Sequence, residues 1–178
     1  MKTLIVVDMQ NDFVIGNLGT PEARAIVPKI KDKLKKEYNQ SKYHQSTDTI
    51  VFTQDNHYMR DWIDNEKIEM KDVPAHCIKG TPGWCIVDAL FPFANKVITK
   101  DNFGCFNWNF INPNLLTSIE IVGVCTDICV ISNALILRAL FPNIPIIVDA
   151  SCCAGTTPEK HKAALEVMKS CCIEVINE

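Results

Sequence analysis

Residues Ile119–Asp149 read IEIVGVCTDICVISNALILRALFPNIPIIVD. Ile119–Val124 is an apolar run of strand length. Thr126–Leu140 follows with the length and apolar content of a helix. Ile144–Val148 is a second apolar run, ending at Asp149. These strands do not alternate apolar with polar residues, so both of their faces are buried. Buried strands separated by helices are the pattern of a parallel sheet covered on two sides.

The rest of the chain repeats the pattern. Lys2–Val7 is an apolar strand that ends in Asp8. Pro21–Glu37 carries Ala23, Ile26, Val27, Ile30 and Leu34 at helical spacing, with Thr20 as the N-cap. Lys29, Lys31, Lys33, Lys35 and Lys36 form its solvated side. Thr49–Thr53 is a second strand, ending near Asp55. Residues 54–83 are polar and irregular, a length that marks a functional loop. Trp84–Leu90 reads as a short helix. Lys96–Thr99 is a third strand, ending at Lys100. Pro158–Ser170 is a helix with Ala164, Val167 and Met168 inward, and Cys172–Ile176 is the last strand. The prediction is an α/β fold with six strands in a single domain over residues 1–178.

Composition excludes several classes. Apolar residues are 47% and charged residues 22% of the 178, which is globular usage and not that of a disordered chain. The net charge of −3, with no basic block, argues against nucleic acid as a partner and for a small molecule. The apolar stretch Ala134–Leu140 is cut by Arg138, so no membrane span is expected. The opening MKTLIVVDMQ has too short an apolar run for an export signal. Nine cysteines include the adjacent pairs Cys152–Cys153 and Cys171–Cys172. Neighbouring Cα atoms sit about 3.8 Å apart, below the usual disulfide range. The reading is a reduced, cytoplasmic protein.

Ligands of such sheets bind beyond the carboxyl ends of the strands. Asp8, Asp55, Lys100, Cys129 and Asp149 fall at or just past those ends. Singly, each has a plain role: a capping acid, a solvated lysine, a packed thiol. Together they bring a carboxylate, an ammonium and a thiol to one crevice. Cys129 lies early in a helix, where unsatisfied N–H groups favour a thiolate, and Lys100 adds positive charge. Proton transfer from a free thiol to a free carboxylate is uphill by roughly 6 kcal/mol, so the site must be partly closed to water to narrow the gap. A second set lies in the long loop. Asp55, His57 and His76 are ligands for a divalent transition metal such as zinc or iron, with open positions left over. Cys77 and Cys85 flank His76 and are weaker thiolate candidates.

Five motifs carry a resemblance that runs nearly end to end. They are Val7-Asp8-Met9-Gln10-Asn11-Asp12-Phe13; Asp55-x-His57; Pro74-x-His76-Cys77 with Gly80-Thr81-Pro82-Gly83; Lys100 with Phe103-Gly104; and Gly123-Val124-Cys125-Thr126-Asp127-Ile128-Cys129-Val130. In this order the chain resembles the isochorismatase-like cysteine hydrolases of nicotinamidase type. The resemblance implies a Rossmann-like three-layer sandwich with helices on both faces of the sheet. It implies catalytic Asp8, Lys100 and Cys129, and a cis peptide between Val124 and Cys125. It implies an oxyanion hole from the backbone N–H groups of Cys125 and Cys129. The metal set becomes Asp55, His57 and His76, with zinc first and iron or manganese as alternatives. Glu66 or Glu69 is the candidate for a further ligand.

The implied activity is hydrolysis of a small carboxamide to an acid and ammonia through an acyl thioester on Cys129. The implied assembly is a homo-oligomer. The sequence departs from the family at Cys125, where Ala is common, and at Gly16-Asn17, where two glycines are usual. It departs also at Val73, where nicotinamidases commonly place an aromatic ring against the substrate. Trp62, Trp84 and Trp108 are candidates to replace that ring. Phe13, Leu18, Val73 and Phe103 are the expected pocket wall. The rival readings are another amide, carbamoyl or vinyl-ether hydrolase of the same superfamily, and a thiol-based binding or redox-sensing domain.

Overall fold

A computed structural model describes residues 1–44, 49–63, 68–71 and 73–178. The strands are β1 (Lys2–Val7), β2 (Thr49–Asp55), β3 (Val97–Lys100), β4 (Ser118–Val124), β5 (Ile146–Ala154) and β6 (Glu174–Ile176). All pair in parallel, in the order β3-β2-β1-β4-β5-β6. Alternate residues of β1 serve two different cores. Ile5 and Val7 pack with Ala134, Leu137, Ala164 and Met168 on one face. Leu4 and Val6 pack with Ile26, Ile30 and Leu34 on the other. The period of two along the strand therefore makes three layers, with helices on both faces.

The chain runs outward from β1 through β2 to β3, then returns to lay β4 on the other side of β1. The two halves of the sheet part at β1 and β4, and a crevice opens beyond their carboxyl ends. β1 and β4 approach closely there. Gly123 has φ +122°, and a Cβ on it would stand 2.2 Å from the Val7 carbonyl oxygen, so only glycine fits.

The helices are α1 (Asn11–Val14), α2 (Pro21–His44), α3 (Arg60–Ile63), α4 (Ile131–Leu140) and α5 (Pro158–Ser170). Thr20 caps α2, its hydroxyl accepting the Ala23 N–H at 3.0 Å. α2 continues past Glu37, where its apolar spacing ends. Lys33 is not on a solvated side. Its ammonium pairs with Glu120 on β4, and with Asp149 on β5 at 2.6 Å. Lys2 reaches Glu120 and Glu37, each at 2.6 Å. Two lysines and three carboxylates thus lie between α2 and the sheet.

Asp149 is likewise not at a strand end, because β5 runs on to Ala154. Its carboxylate is used by Lys33 and by the Ser151 hydroxyl, at 2.8 Å. The short helix expected over Trp84–Leu90 is absent: Pro82–Trp84 is one 3-10 turn, and Ile86 bridges Gln10. In α5 the inward residues are Ala164, Leu165 and Met168, while Val167 is 48% exposed. Among the described residues, no helix is long and apolar enough to cross a membrane.

Candidate active site

Lys100 ends β3, and its ammonium is the hub of the crevice. Nζ lies 2.7 Å from Asp8 Oδ2, 3.0 Å from Asp55 Oδ1 and 3.7 Å from Cys129 Sγ. It also donates to the Asn102 carbonyl at 3.1 Å. Asp8 leaves β1 at φ 50°, a left-handed conformation that Asp tolerates. The Thr53 hydroxyl of β2 donates to Asp8 Oδ1 at 2.7 Å and fixes the carboxylate. All three charged or ionisable groups are buried, Asp8 completely. Burial pushes the Asp8 carboxyl up, Lys100 opposes, and Asp55 reinforces. Burial also pushes the Cys129 thiol well up, again opposed by Lys100. Burial works against the Lys100 charge, but the carboxylates of Asp8 and Asp55 outweigh it and hold the ammonium. The resting site is thus a neutral thiol beside an ion pair.

Cys129 lies in a turn wider than the α-helix expected there. Thr126–Val130 has π-type winding, and the Val130 N–H reaches back to the Cys125 carbonyl at 3.0 Å. The Val124–Cys125 peptide is cis. Asn133, which the sequence reading passed over, is fully buried and bonds the Cys129 carbonyl at 2.8 Å and the Cys105 N–H at 2.9 Å.

Asp55 faces two ways. One oxygen meets Lys100; the other, Oδ2, lies 2.9 Å from His57 Nε2 and 3.8 Å from His76 Nε2. The three ligand atoms lie within 4.8 Å of one another, and all three residues are buried. Ligands about 2.1 Å from a small divalent ion stand roughly 3 Å or slightly more apart, so the trio fits such an ion with small adjustment. Burial lowers the pKa of His76 and favours the neutral imidazole that a metal requires. Its Nδ1 faces the Pro74 carbonyl at 2.9 Å, which leaves Nε2 for the ion.

Two supporting residues were not singled out from the sequence. Gln10 bonds both the N–H and the carbonyl of Asp55, at 2.7 and 2.9 Å. Asp61 Oδ2 stands 3.8 Å from His57 Nδ1. Cys77 and Cys85 do not join the cluster. Burial pushes the Cys77 thiol up, and Cys85 is exposed. Glu69 lines the nearby cavity without belonging to the trio, and Glu66 lies outside the described residues.

A cavity of about 410 Å³ joins the two sets. Cys125, Cys129, Asp55, His57 and His76 open on it. So do Phe13, Leu18, Val73 and Phe103, with Met70 and Thr156 in addition. Asp8 and Lys100 lie behind this lining. Of the three tryptophans, Trp108 is in the core, and neither it nor Trp84 lines the cavity. Trp62 packs edge-on against His57 and His76, at 5.6 and 5.4 Å between centroids, and donates to the Val73 carbonyl at 3.0 Å. It braces the two histidines and does not stand in for a ring at position 73.

Residues 2–178 match the model of the isochorismatase domain. The chain belongs to the isochorismatase family. Within the family it is 27% identical to the nicotinamidase/pyrazinamidase of Mycobacterium tuberculosis, over 99% of this chain and 98% of that protein. Among solved structures it resembles the pyrazinamidase of Pyrococcus horikoshii in complex with zinc, with a TM-score of 0.81 and 29% identity over 99% of both chains. It also resembles the nicotinamidase/pyrazinamidase of Bacillus subtilis, with a TM-score of 0.83 and 26% identity over 99% of both chains. The Rossmann-like sandwich of the isochorismatase family is therefore the fold seen here.

Proposed function

We propose that the chain is a cysteine-dependent amidohydrolase of nicotinamidase type, converting a small carboxamide to the acid and ammonia. The observation that carries this is the single buried ammonium of Lys100, in contact with Asp8, Asp55 and Cys129 at once. Asp8 takes the thiol proton. Burial raises both groups, so the gap between them is set by Lys100 and by the incoming substrate. The thiolate attacks the amide carbon, and the N–H groups of Cys125 and Cys129 hold the oxyanion. Such donors are worth about 3–4 kcal/mol each in acyl transfer. Asp8 returns the proton to the departing ammonia, leaving a thioester on Cys129 that water cleaves with Asp8 as base.

Asp55, His57 and His76 would hold the metal, zinc by preference for its nitrogen and oxygen donors. Bound there, a divalent ion supplies a Lewis-acidic position at the cavity for a substrate nitrogen or a water. Phe13, Leu18 and Phe103 form the apolar wall. Nine free thiols suit a reducing, cytoplasmic setting. Assembly as a homo-oligomer is part of this reading, and light scattering tests it.

One observation favours a second substrate class for the same chemistry. Val73 puts no aromatic ring at its own position in that wall, and no tryptophan replaces it. An amide that is not a flat pyridine ring is then a second candidate substrate. The test is ammonia release from a panel of pyridine, pyrazine and aliphatic carboxamides, by wild type and by Cys129→Ala. The reading requires turnover of at least one amide and none by the folded variant. Residual ammonia release from Cys129→Ala rejects this nucleophile.

A further inference from the structure

The turn that carries Cys129 is wound in a way helices rarely adopt. π-type turns are uncommon and are frequent at functional sites. Within the turn, the Cys125 carbonyl accepts from Ile128 N at 3.1 Å and Val130 N at 3.0 Å, and the Ile131 N–H reaches the Thr126 carbonyl. Support comes from the segment between β5 and α5. The fully buried Thr126 hydroxyl shares a hydrogen bond of 2.8 Å with His161 Nδ1 on α5. Its neighbour Asp127 accepts the Thr156 N–H at 2.8 Å and the Thr156 hydroxyl at 2.6 Å. The two ties meet at Gly155, where a Cβ would lie 2.8 Å from His161 Cβ and 2.9 Å from Asp127 Oδ1. The first two residues of the turn are thus gripped from outside, three residues before the nucleophile.

We propose that His161 and Asp127 are positioning residues that hold the Thr126–Val130 turn in its wide winding, and that this winding keeps Cys129 Sγ against Lys100. Neither residue touches the reacting atoms; both act through the turn. Released, the turn tightens toward ordinary helix and swings Sγ off the ammonium. The effect on turnover rests on the amidohydrolase reading, but the effect on the thiol does not.

The experiment compares wild type with His161→Ala, His161→Asn, Thr126→Val and the double variant His161→Ala/Thr126→Val. It reads kcat and KM on the best amide, the rate of Cys129 alkylation by iodoacetamide by peptide mass, and the melting temperature. A displacement of about 1 Å can cost 100-fold in rate. Loss of the tie is therefore expected to lower kcat by about tenfold or more, with KM changed less than about threefold. Alkylation slows in parallel, because the thiolate loses Lys100. His161→Asn, which places an acceptor where Nδ1 stands, restores most of both rates. Thr126→Val breaks the same bond from its other end, so the double variant falls no further than the singles.

Rates like wild type in His161→Ala and Thr126→Val overturn the proposal. So does equal loss in His161→Ala and His161→Asn, or losses that multiply in the double variant. If His161→Ala does not fold, Thr126→Val against Thr126→Ser carries the same comparison. If wild type hydrolyses no amide, the functional reading fails while the alkylation series still decides this one.

Discussion

Lys100 keeps its charge at 5% exposure because Asp8 and Asp55 face it at 2.7 and 3.0 Å. Its replacement by methionine would leave two buried carboxylates facing each other with nothing between them. Breaking a buried ion pair from one side costs about 3–5 kcal/mol. Lys100→Met is therefore expected to lose that much stability in urea unfolding and all measurable amidase activity. A variant as stable as wild type would mean that the carboxylates are neutral in the native state. Asp61 makes a smaller contribution through His57, whose Nδ1 it faces at 3.8 Å. At that distance the carboxylate acts on the imidazole as a nearby charge and makes no hydrogen bond to it, so its loss should cost less than the 10–100-fold in metal affinity typical of a hydrogen-bonded partner. Asp61→Asn should weaken zinc binding by less than about tenfold in a chelator competition. Asn can still accept the Tyr58 N–H that Asp61 now accepts at 2.9 Å, so the unfolding of the metal-free form should move little.

α2 shows how far an element can be read from its own sequence. Ala23, Ile26, Ile30 and Leu34 are buried as their spacing demands, and Thr20 caps the start. Lys33 stands among lysines of the same pattern and differs only in what β4 and β5 place opposite it. Pairing across elements is invisible to spacing. The π winding of Thr126–Val130 was hidden for the same reason, since the hydrogen bonds that reach its first two residues from outside come from His161 on α5 and from Thr156 before it. Asp149 looked like a strand end because the apolar run stops there; β5 continues through residues that are small rather than apolar. Lys33 also sets a pH dependence. Burial acts to raise the Asp149 carboxyl, but Lys33 and Ser151 outweigh it and hold the carboxyl below its usual value. A depressed carboxyl contributes stability above its unfolded pKa of about 3.9 and loses it as pH falls through the native value. Lys33 itself stays charged throughout, its pKa held up by Asp149 and Glu120 against burial. Lys33→Met should thus cost about 3 kcal/mol at pH 7. The difference from wild type should shrink as pH falls below about 4 and on through the depressed native value of Asp149, where its protonated carboxyl no longer needs the ammonium. Thermal melts at pH 7 and pH 3 measure this; an equal difference at both rejects the ion-pair account.

The whole sheet is what makes five distant motifs into one crevice. Asp8, Asp55, Lys100 and Cys125 each follow or end a different strand, and parallel pairing brings all four ends to one side. That much follows from strand order, which is why motifs spread from residue 8 to residue 129 could be read as one site. The cavity wall was legible in part: Phe13, Leu18, Val73 and Phe103 line it, but Met70 and Thr156 were not read, because neither stands in a motif nor at a strand end. The segment 54–83 couples metal to stability. His57 and His76 tie β2 to the loop that follows it, so an ion on Asp55, His57 and His76 would cross-link the crevice in the native state only. A ligand of the native state stabilises it by about 2.7 kcal/mol at a free concentration 100 times its Kd. For a chain of this size, 1 kcal/mol corresponds to about 2–4 °C in melting temperature. Chelation is expected to lower the melting temperature by roughly 5–10 °C, and zinc to restore it. His76→Ala should melt near the chelated value with or without zinc. A chelated protein that melts with the loaded one would place the ion elsewhere or leave the trio without one.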